Sequence, residues 1–505
     1  MQEKNPINTR ARNITIVVAI ALLVSASVII SLWHSNMRNI PPGGSGFAAA
    51  RQAEDGSTLF MSYAGPIFPL SALCGTDNIA VKRSVLFDFS RFGAFHSDAD
   101  PHIHHSNIPV QDSYILTNDS DEAQTVQLIY PFVGNFFEYG RFAPTVLKDG
   151  AVVETQLLAG AYSGGFVGFD DGNESSINLH TIASWQDYYA LLSDGRYLER
   201  ALGDAPILNH PVIVYEFTNT TADFLASVNP TLAVGFNLDY DRTTVLSYGF
   251  HGGSFNPDGG FMRQSFSIPR EDSHDADRIF KLIVLGDDIS DINMQGYANA
   301  GWHPGEERED ISAVMTRRET TLYNVLNELV ANFVRSQQDI NAPDSSIFNF
   351  SSFEAQAAFE MFLRSVSELL FDYGILSDTV AARYETGWLA EMFWEVMVMD
   401  RVFYLVFDVA IPADGSTEII IDMLRLGSFD FFCGSGSKNV GLYGYELVTT
   451  LSSSLNFTTQ TAVIEGGDYI EIIRQNFGFT SGSTSTVQLE SDIPRFFIEV
   501  RRQSS

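Results

Sequence analysis

Tyr114-Ile115-Leu116-Thr117, then Asn118-Asp119-Ser120-Asp121-Glu122, then Thr125-Val126-Gln127-Leu128-Ile129-Tyr130-Pro131-Phe132 is the stretch that decides the fold. Both flanks are rich in β-branched and aromatic residues, and the break between them is polar, so the pattern predicts strand, turn, strand. It has an echo about a hundred residues on. Tyr215-Glu216-Phe217-Thr218-Asn219-Thr220-Thr221 again ends in Thr-Asn, and Thr231-Leu232-Ala233-Val234-Gly235-Phe236 follows. Two β-sandwich modules, each with such a hairpin, would account for the echo; the alternative is that Thr-Asn simply ends strands well.

Working outward, further strands are predicted at 84–89, 243–250, 261–268, 280–285, 402–411, 418–424, 469–473, 486–489 and 496–500. Phe255-Asn256-Pro257-Asp258-Gly259-Gly260 is a turn between two of them. Near Thr320 the apolar period changes from two to 3.6: Leu322, Val325, Leu326, Leu329, Val330 and Phe333 fall on one helical face. A second helix is expected from Ser351, with Glu354 at capping-box spacing, and a third over 383–399. Glu391, Glu395, Asp400 and Arg401 exclude that third helix as a membrane span. No regular βαβ alternation occurs, which excludes a doubly wound parallel sheet.

Upstream, Ile14 to Trp33 (ITIVVAIALLVSASVIISLW) is a run of twenty residues without charge, proline or glycine. As a helix it rises about 30 Å, the thickness of a bilayer's hydrocarbon core. Lys4, Arg10 and Arg12 precede it, so the chain after it is expected outside the cytoplasm. A cleaved signal peptide is the competing reading, but no small-x-small site follows the run directly. The expected fold is therefore mainly β: antiparallel β-sandwich domains with a small α-helical insertion, preceded by one N-terminal transmembrane helix. The expected organisation is a stub over 1–13, a span over 14–33 and a flexible Pro/Gly linker over 34–53. A β-sandwich domain over 54–205, a second β domain over 206–318, a helical insertion over 319–400 and a C-terminal β domain over 401–505 complete it.

Acids outnumber bases 62 to 30, for a net charge of −32, and there are five lysines. No basic patch forms, which argues against a nucleic-acid partner. The expected partners are a membrane, through the one helix, and a protein or glycan ligand outside the cell. Cys74 and Cys433 both precede glycine. In an oxidising space they could pair, closing a loop of about 360 residues worth on the order of 5 kcal/mol in the chain-entropy account; the alternative is two buried thiols. No zinc spacing occurs.

Three constellations are candidates for chemistry. His96, Asp98, Asp100, His102, His104 and His105 form the densest group of ligand types. In an extended segment His102 and His104 share a face, and Asp98 or Asp100 adds a carboxylate, as a divalent metal needs; otherwise this is a solvated loop. Glu391 and Glu395, four apart on the third helix and flanked by Trp388 and Trp394, are neighbours whose like charge and apolar surroundings raise one pKa, as a general acid requires. Paired carboxylates with tryptophans also fit glycoside hydrolysis, although a glycosidase places its acids on opposite sides of the bond. The bland reading is an amphipathic helix with its acids in water. Asp239, Asp241, Asp287, Asp288 and Asp291 are oxygen ligands of the calcium type without an EF-hand spacing. No nucleophile elbow, phosphate loop or zincin motif is present. Together these point to a membrane-anchored extracytoplasmic surface protein of non-catalytic type, for binding, envelope assembly or sensing, with no cofactor; the rival is an extracytoplasmic carbohydrate-active hydrolase using paired carboxylates.

Overall fold

Alternation of buried and exposed residues sets the strands. The computed structural model describes residues 55–60, 62–73, 79–93, 106–162, 198–199, 201, 208–270, 279–300, 302–340, 353–372, 376, 387–430, 439–451, 455–490 and 492–503. The expected span at 14–33, the linker, the histidine-rich segment, Cys74 and Cys433 lie outside the described residues. Within them, no helix is long and apolar enough to cross a membrane.

In chain order the first strands are β1 (Ser71–Ala72), β2 (Ile79–Asp88), β3 (Ile108–Asn118) and β4 (Gln124–Gly134). A one-turn helix α1 (Tyr139–Phe142) is followed by β5 (Thr145–Lys148), β6 (Ala151–Val152) and β7 (Gln156–Tyr162). Next come β8 (Pro211–Thr221), β9 (Thr231–Asn237), β10 (Thr243–Tyr248), β11 (Gly252–Asn256) and β12 (Phe261–Ser267). They lead to β13 (Phe280–Gly286), β14 (Ser290–Tyr297), β15 (Glu307–Arg308) and β16 (Ser312–Thr321). Three helices follow, α2 (Leu322–Ile340), α3 (Phe353–Asp372) and α4 (Leu389–Val398). The chain closes with β17 (Arg401–Ile411), β18 (Ser416–Arg425), β19 (Tyr443–Val448), β20 (Asn456–Glu465), β21 (Ile470–Gln475), β22 (Thr484–Gln488) and β23 (Arg495–Arg502).

The protein is mainly β, and its sheets are antiparallel except where β2 runs parallel to β20. The largest sheet has the order β22-β20-β2-β3-β18-β5-β6. It shares one core with two smaller sheets, β1-β4-β17-β7 and β19-β23-β21. The stretch around β1 joins those two. Ile67 bridges Leu447 of β19 in parallel, and Leu73 N donates to Gln127 O of β4 at 3.1 Å. The segments 54–205 and 401–505, expected as separate domains, are thus interleaved: β17 pairs with β4 along its length and with β7 from Arg401 to Val406, and β18 with β3. Local patterning shows where strands are, and it carries no signal for pairing across three hundred residues.

Between these segments, β8 to β16 form two further sheets, β10-β13-β8-β16 and β11-β12-β9-β14-β15, around a core of their own. Phe266 and Phe280 stack in it with ring centroids 3.9 Å apart. The helix α2 starts directly from β16 and buries Leu322, Val325, Leu326, Leu329, Val330 and Phe333, the face read from the sequence. Lys281 on β13 is fully buried and pairs with Glu216 at 3.2 Å and with Glu328 of α2, tying the helix to the sheet.

One expectation is corrected. The Thr-Asn strands do not lead into hairpins. β3 and β4 lie in different sheets, as do β8 and β9. Each polar turn crosses from one sheet to the other, because both flanking strands are broad and apolar enough to need separate pairing partners. The likeness persists at the level of pairing: β3 meets β18 while β4 meets β17, and β8 meets β16 while β9 meets β14.

Candidate functional site

A small cavity lies where α4 gives way to β17 and β4 gives way to α1. The volume is about 40 Å³, and the lining includes Val133, Asn135, Glu138, Tyr139, Asp400 and Arg425. Asn135 organises it. Its Oδ1 accepts from Glu138 N at 2.8 Å, fixing the turn into α1. Its Nδ2 donates to Asp400 Oδ1 at 3.0 Å and to Glu138 Oε2 at 3.3 Å, so one amide holds two carboxylates. Phe137 N donates to Met397 O at 3.0 Å and clamps the turn onto the end of α4. Opposite, the Arg425 guanidinium donates to the carbonyls of Ala64 and Gly65 at 2.8 and 2.6 Å.

Burial pushes the Asp400 carboxyl up to about 6. The Asn135 hydrogen bond opposes that shift, the Glu138 charge adds to it and the Arg425 charge opposes it. Asp400 therefore holds its proton above the ordinary carboxyl range, chiefly because burial penalises the charged form. The volume admits a water or two, far less than the several hundred Å³ of an organic-ligand pocket. The arrangement can take up and release a proton; it cannot enclose a sugar.

The sequence-chosen pair lies elsewhere on the same helix. Glu391 sits in the first turn of α4, and Glu395 one turn on. Burial alone raises Glu391 to about 7, and its Oε2 is buried with no hydrogen-bond partner among the described residues. Of the two causes expected, like charge and apolar surroundings, burial is the one that raises it. The flanking tryptophans are engaged in packing. Trp388 Nε1 donates to the buried Gln264 Oε1 at 3.3 Å, and Trp394 meets Phe137 edge-on at 5.8 Å.

The aspartate group is dispersed into local contacts. Asp288 accepts from Tyr215 at 2.8 Å and pairs with Arg317, Asp287 pairs with Arg242, and Asp291 accepts from Asn237. Asp239 Oδ1 caps its own turn by accepting from Asp241 N. Among the described residues no three His, Cys, Asp or Glu side chains gather as a metal site. The histidine-rich candidates His102, His104, His105, Asp98 and Asp100 lie outside them, as does the Cys74 and Cys433 pairing.

Three buried charge centres were not singled out from the sequence. Arg83 and Asp112 pair with neither side chain exposed. Arg495 pairs with Glu446, which also accepts from Tyr63 at 2.6 Å. Glu499 accepts from Thr58 and Arg474. The signal for Arg83 was present: it falls in the inward register 79, 81, 83, 85, 87 of an otherwise apolar strand face. Asp400 carried none, being a single acid between a helix and a strand. The chain matches no family model, no curated protein and no solved structure.

Proposed function

We propose that this chain is a membrane-anchored extracytoplasmic surface protein of non-catalytic type, whose β-sandwich body is held outside the cytoplasm by the segment Ile14–Trp33 and presents a binding, assembly or sensing surface. One observation carries the reading: the deeply buried charges are spent on architecture. Arg83 with Asp112, Arg495 with Glu446, and Lys281 with Glu216 each close on a partner in the neighbouring strand of the same sheet, and Arg83 and Lys281 reach beyond it, to Phe68 O and Val448 O and to Glu328 of α2. A body stiffened in this way suits display of a surface. The test is fractionation of cells expressing the full chain. The expected outcome is retention in the membrane pellet through an alkaline carbonate wash, with residues after 54 digested by protease added outside. Release by carbonate, or full protection from protease, rejects it.

A second reading, an extracytoplasmic carbohydrate-active hydrolase, is favoured by one observation, the elevated Glu391 beside Trp388. In it Glu391 would donate the proton to the leaving oxygen. A glycan-cleaving activity that survives Glu391→Gln and Glu395→Gln removes this pair from consideration.

A further inference from the structure

The five-stranded sheet β11-β12-β9-β14-β15 turns a polar and aromatic face away from its core. On β12, Met262 and Phe266 belong to that core, so Phe261 and Arg263 face the other way. The Arg263 guanidinium lies over two rings at once, 5.8 Å from the centroid of Phe261 and 5.7 Å from that of Trp302. Local sequence brings both rings there. Phe261 leans across β9 at Gly235, where a Cβ would lie 3.0 Å from its ring. Trp302 comes from the β14–β15 connection, which Ala298 N closes by donating to Glu306 O at 2.9 Å. It reaches across to β11, where a Cβ at Gly252 would lie 3.3 Å from its ring. Trp302 holds φ 50°, which a bulky residue rarely adopts, and its Nε1 is buried with no hydrogen-bond partner among the described residues. A strained backbone and an orphan donor at one residue mark a place that folding alone does not explain.

The guanidinium is uncompensated. Elsewhere arginines close on carboxylates: Arg242 on Asp287, Arg317 on Asp288 and Arg474 on Glu499. Arg263 makes no ion pair and no hydrogen bond among the described residues. Of the acids on β14 and β15, Asp291 accepts from Asn237 at 2.9 Å and Glu307 from Gly305 N at 2.7 Å, and neither pairs with Arg263. Strand register sets Ser254, Arg263, Gly235 and Asn293 in one row across four strands. Ser254 and Asn293 are exposed, at about 5 and 10 Å from Arg263, one and two strand spacings away.

We propose that this row is a subsite for an acidic glycan: a sugar carboxylate accepts from the Arg263 guanidinium, and sugar hydroxyls meet Ser254 and Asn293. The inference rests on the binding reading above and names its ligand class. Charge commits the row to an anion. A body of net charge −32 repels anions in general and admits one only where a cation is left open. The two rings exclude water from the guanidinium, whose in-plane N–H groups suit a two-pronged carboxylate contact. The backbone commits the row to a sugar over an acidic peptide. β12 and β9 are interior strands whose main-chain groups are spent on their neighbours, so no edge is open to an added peptide strand. Hydroxyl and amide side chains at strand spacing remain, and they match the hydroxyls of successive sugar rings.

The test is calorimetric titration of the full chain in detergent with oligogalacturonate, hyaluronan oligosaccharides and sialyllactose. Expected is saturable binding of at least one of them. Arg263→Gln should weaken it by about tenfold or more, as should methyl esterification of the sugar carboxylates. Asn293→Ala, at an exposed position that folding does not need, should weaken it a few-fold. Arg242→Gln, which removes an exposed arginine already paired with Asp287, should leave it unchanged. Esterification alters the ligand alone, so the test stands even where a variant unfolds. No binding of any of the three at millimolar concentration overturns the proposal, as does equal affinity for acid and ester. Binding that ignores Arg263→Gln also overturns it, and equal affinity for polyglutamate assigns the row to an acidic peptide instead. The carbonate fractionation above is read separately. A chain retained in the membrane that binds none of these sugars fails this inference alone; a chain released by carbonate fails the anchored reading whatever it binds.

Discussion

The Arg83 guanidinium and the Asp112 carboxylate form a two-pronged ion pair at 2.9 and 2.8 Å, with neither side chain exposed. They occupy inward positions of adjacent strands, between Val81 and Val85 on β2 and between Val110 and Tyr114 on β3. The remaining hydrogen bonds explain the placement. Arg83 donates to Val448 O at 2.7 Å and to Phe68 O at 3.0 Å, one carbonyl from each side of the junction where the stretch before β1 meets β19. Asp112 accepts in addition from Tyr114 at 2.7 Å, and Tyr114 accepts from Leu70 N. A charged pair inside a core is poor evidence of stability by itself, but this one also satisfies a carbonyl of β19 and one of the stretch before β1.

Removing one partner should therefore cost far more than removing both. Asp112→Asn leaves a buried guanidinium uncompensated and is expected to lose about 3–5 kcal/mol in chemical denaturation. The double variant Arg83→Met/Asp112→Leu is expected to recover part of that loss and to stop short of full recovery, because Val448 O and Phe68 O lose their donor. Full recovery in the double variant would show that the pair, and not the bridging of carbonyls, is what matters.

Asp400 makes stability depend on pH. Its folded pKa of about 6 lies above the ordinary carboxyl value of about 4, so the folded state holds the proton more tightly than the unfolded one. For such a group the cost is full above pH 6 and is relieved as pH falls toward 4. Asp400→Asn should stabilise the protein by about 2 kcal/mol at pH 7.5 and leave it nearly unchanged at pH 4.5. Urea midpoints at the two pH values check this, and a shift of equal size at both would exclude a titrating Asp400.

Glu391 shows the same sign at higher pH. Burial raises it to about 7, and ionisation above that leaves a partly buried charge next to Leu389, Met392 and Phe393. Because the side chain is partly open to solvent, Glu391→Gln is expected to gain only about 1–2 kcal/mol at pH 8, fading by pH 5. Titration followed by the carboxyl chemical shift gives the pKa directly, and a midpoint near 4.5 would remove the basis of the hydrolase reading.

Most elements were legible because local patterning determines them. The alternation at 79–88 and at 416–425 faces a core on one side, and the helical face from Leu322 to Phe333 is buried as a stripe. What was illegible is long-range. Nothing within 401–411 shows that β17 will lie between β4 and β7, since any apolar strand of that length would pair as well. The cavity acids were illegible for the same reason: Asn135 and Asp400 meet at 3.0 Å from positions 265 residues apart. The third helix was expected over 383–399 and is found over Leu389–Val398, with Trp388 extended ahead of its first turn, and its surroundings were not foreseeable. Gln264, which engages Trp388, comes from a strand of a different sheet pair.

Asn118 and Asn219 end the two echoing strands, and the structure gives them different roles. Asn118 is fully buried. Its Nδ2 donates to Glu122 O at 2.8 Å and to Pro412 O at 3.1 Å, and its Oδ1 accepts from Ser120 N and Oγ. It thereby joins the β3–β4 crossing to the β17–β18 turn. Asn219 is exposed, at φ 48°, a backbone conformation that asparagine and aspartate both tolerate. Asn118→Asp removes both donors and buries a charge facing two carbonyls, so it is expected to cost at least about 2 kcal/mol. Asn219→Asp should stay within about 0.5 kcal/mol of the parent. Thermal unfolding of the two variants side by side checks this. Equal losses would mean that the repeated Thr-Asn does one job in both places; the expected inequality means that the shared letters mark only the end of a strand, and that burial of the first copy against Pro412 was acquired by its own surroundings.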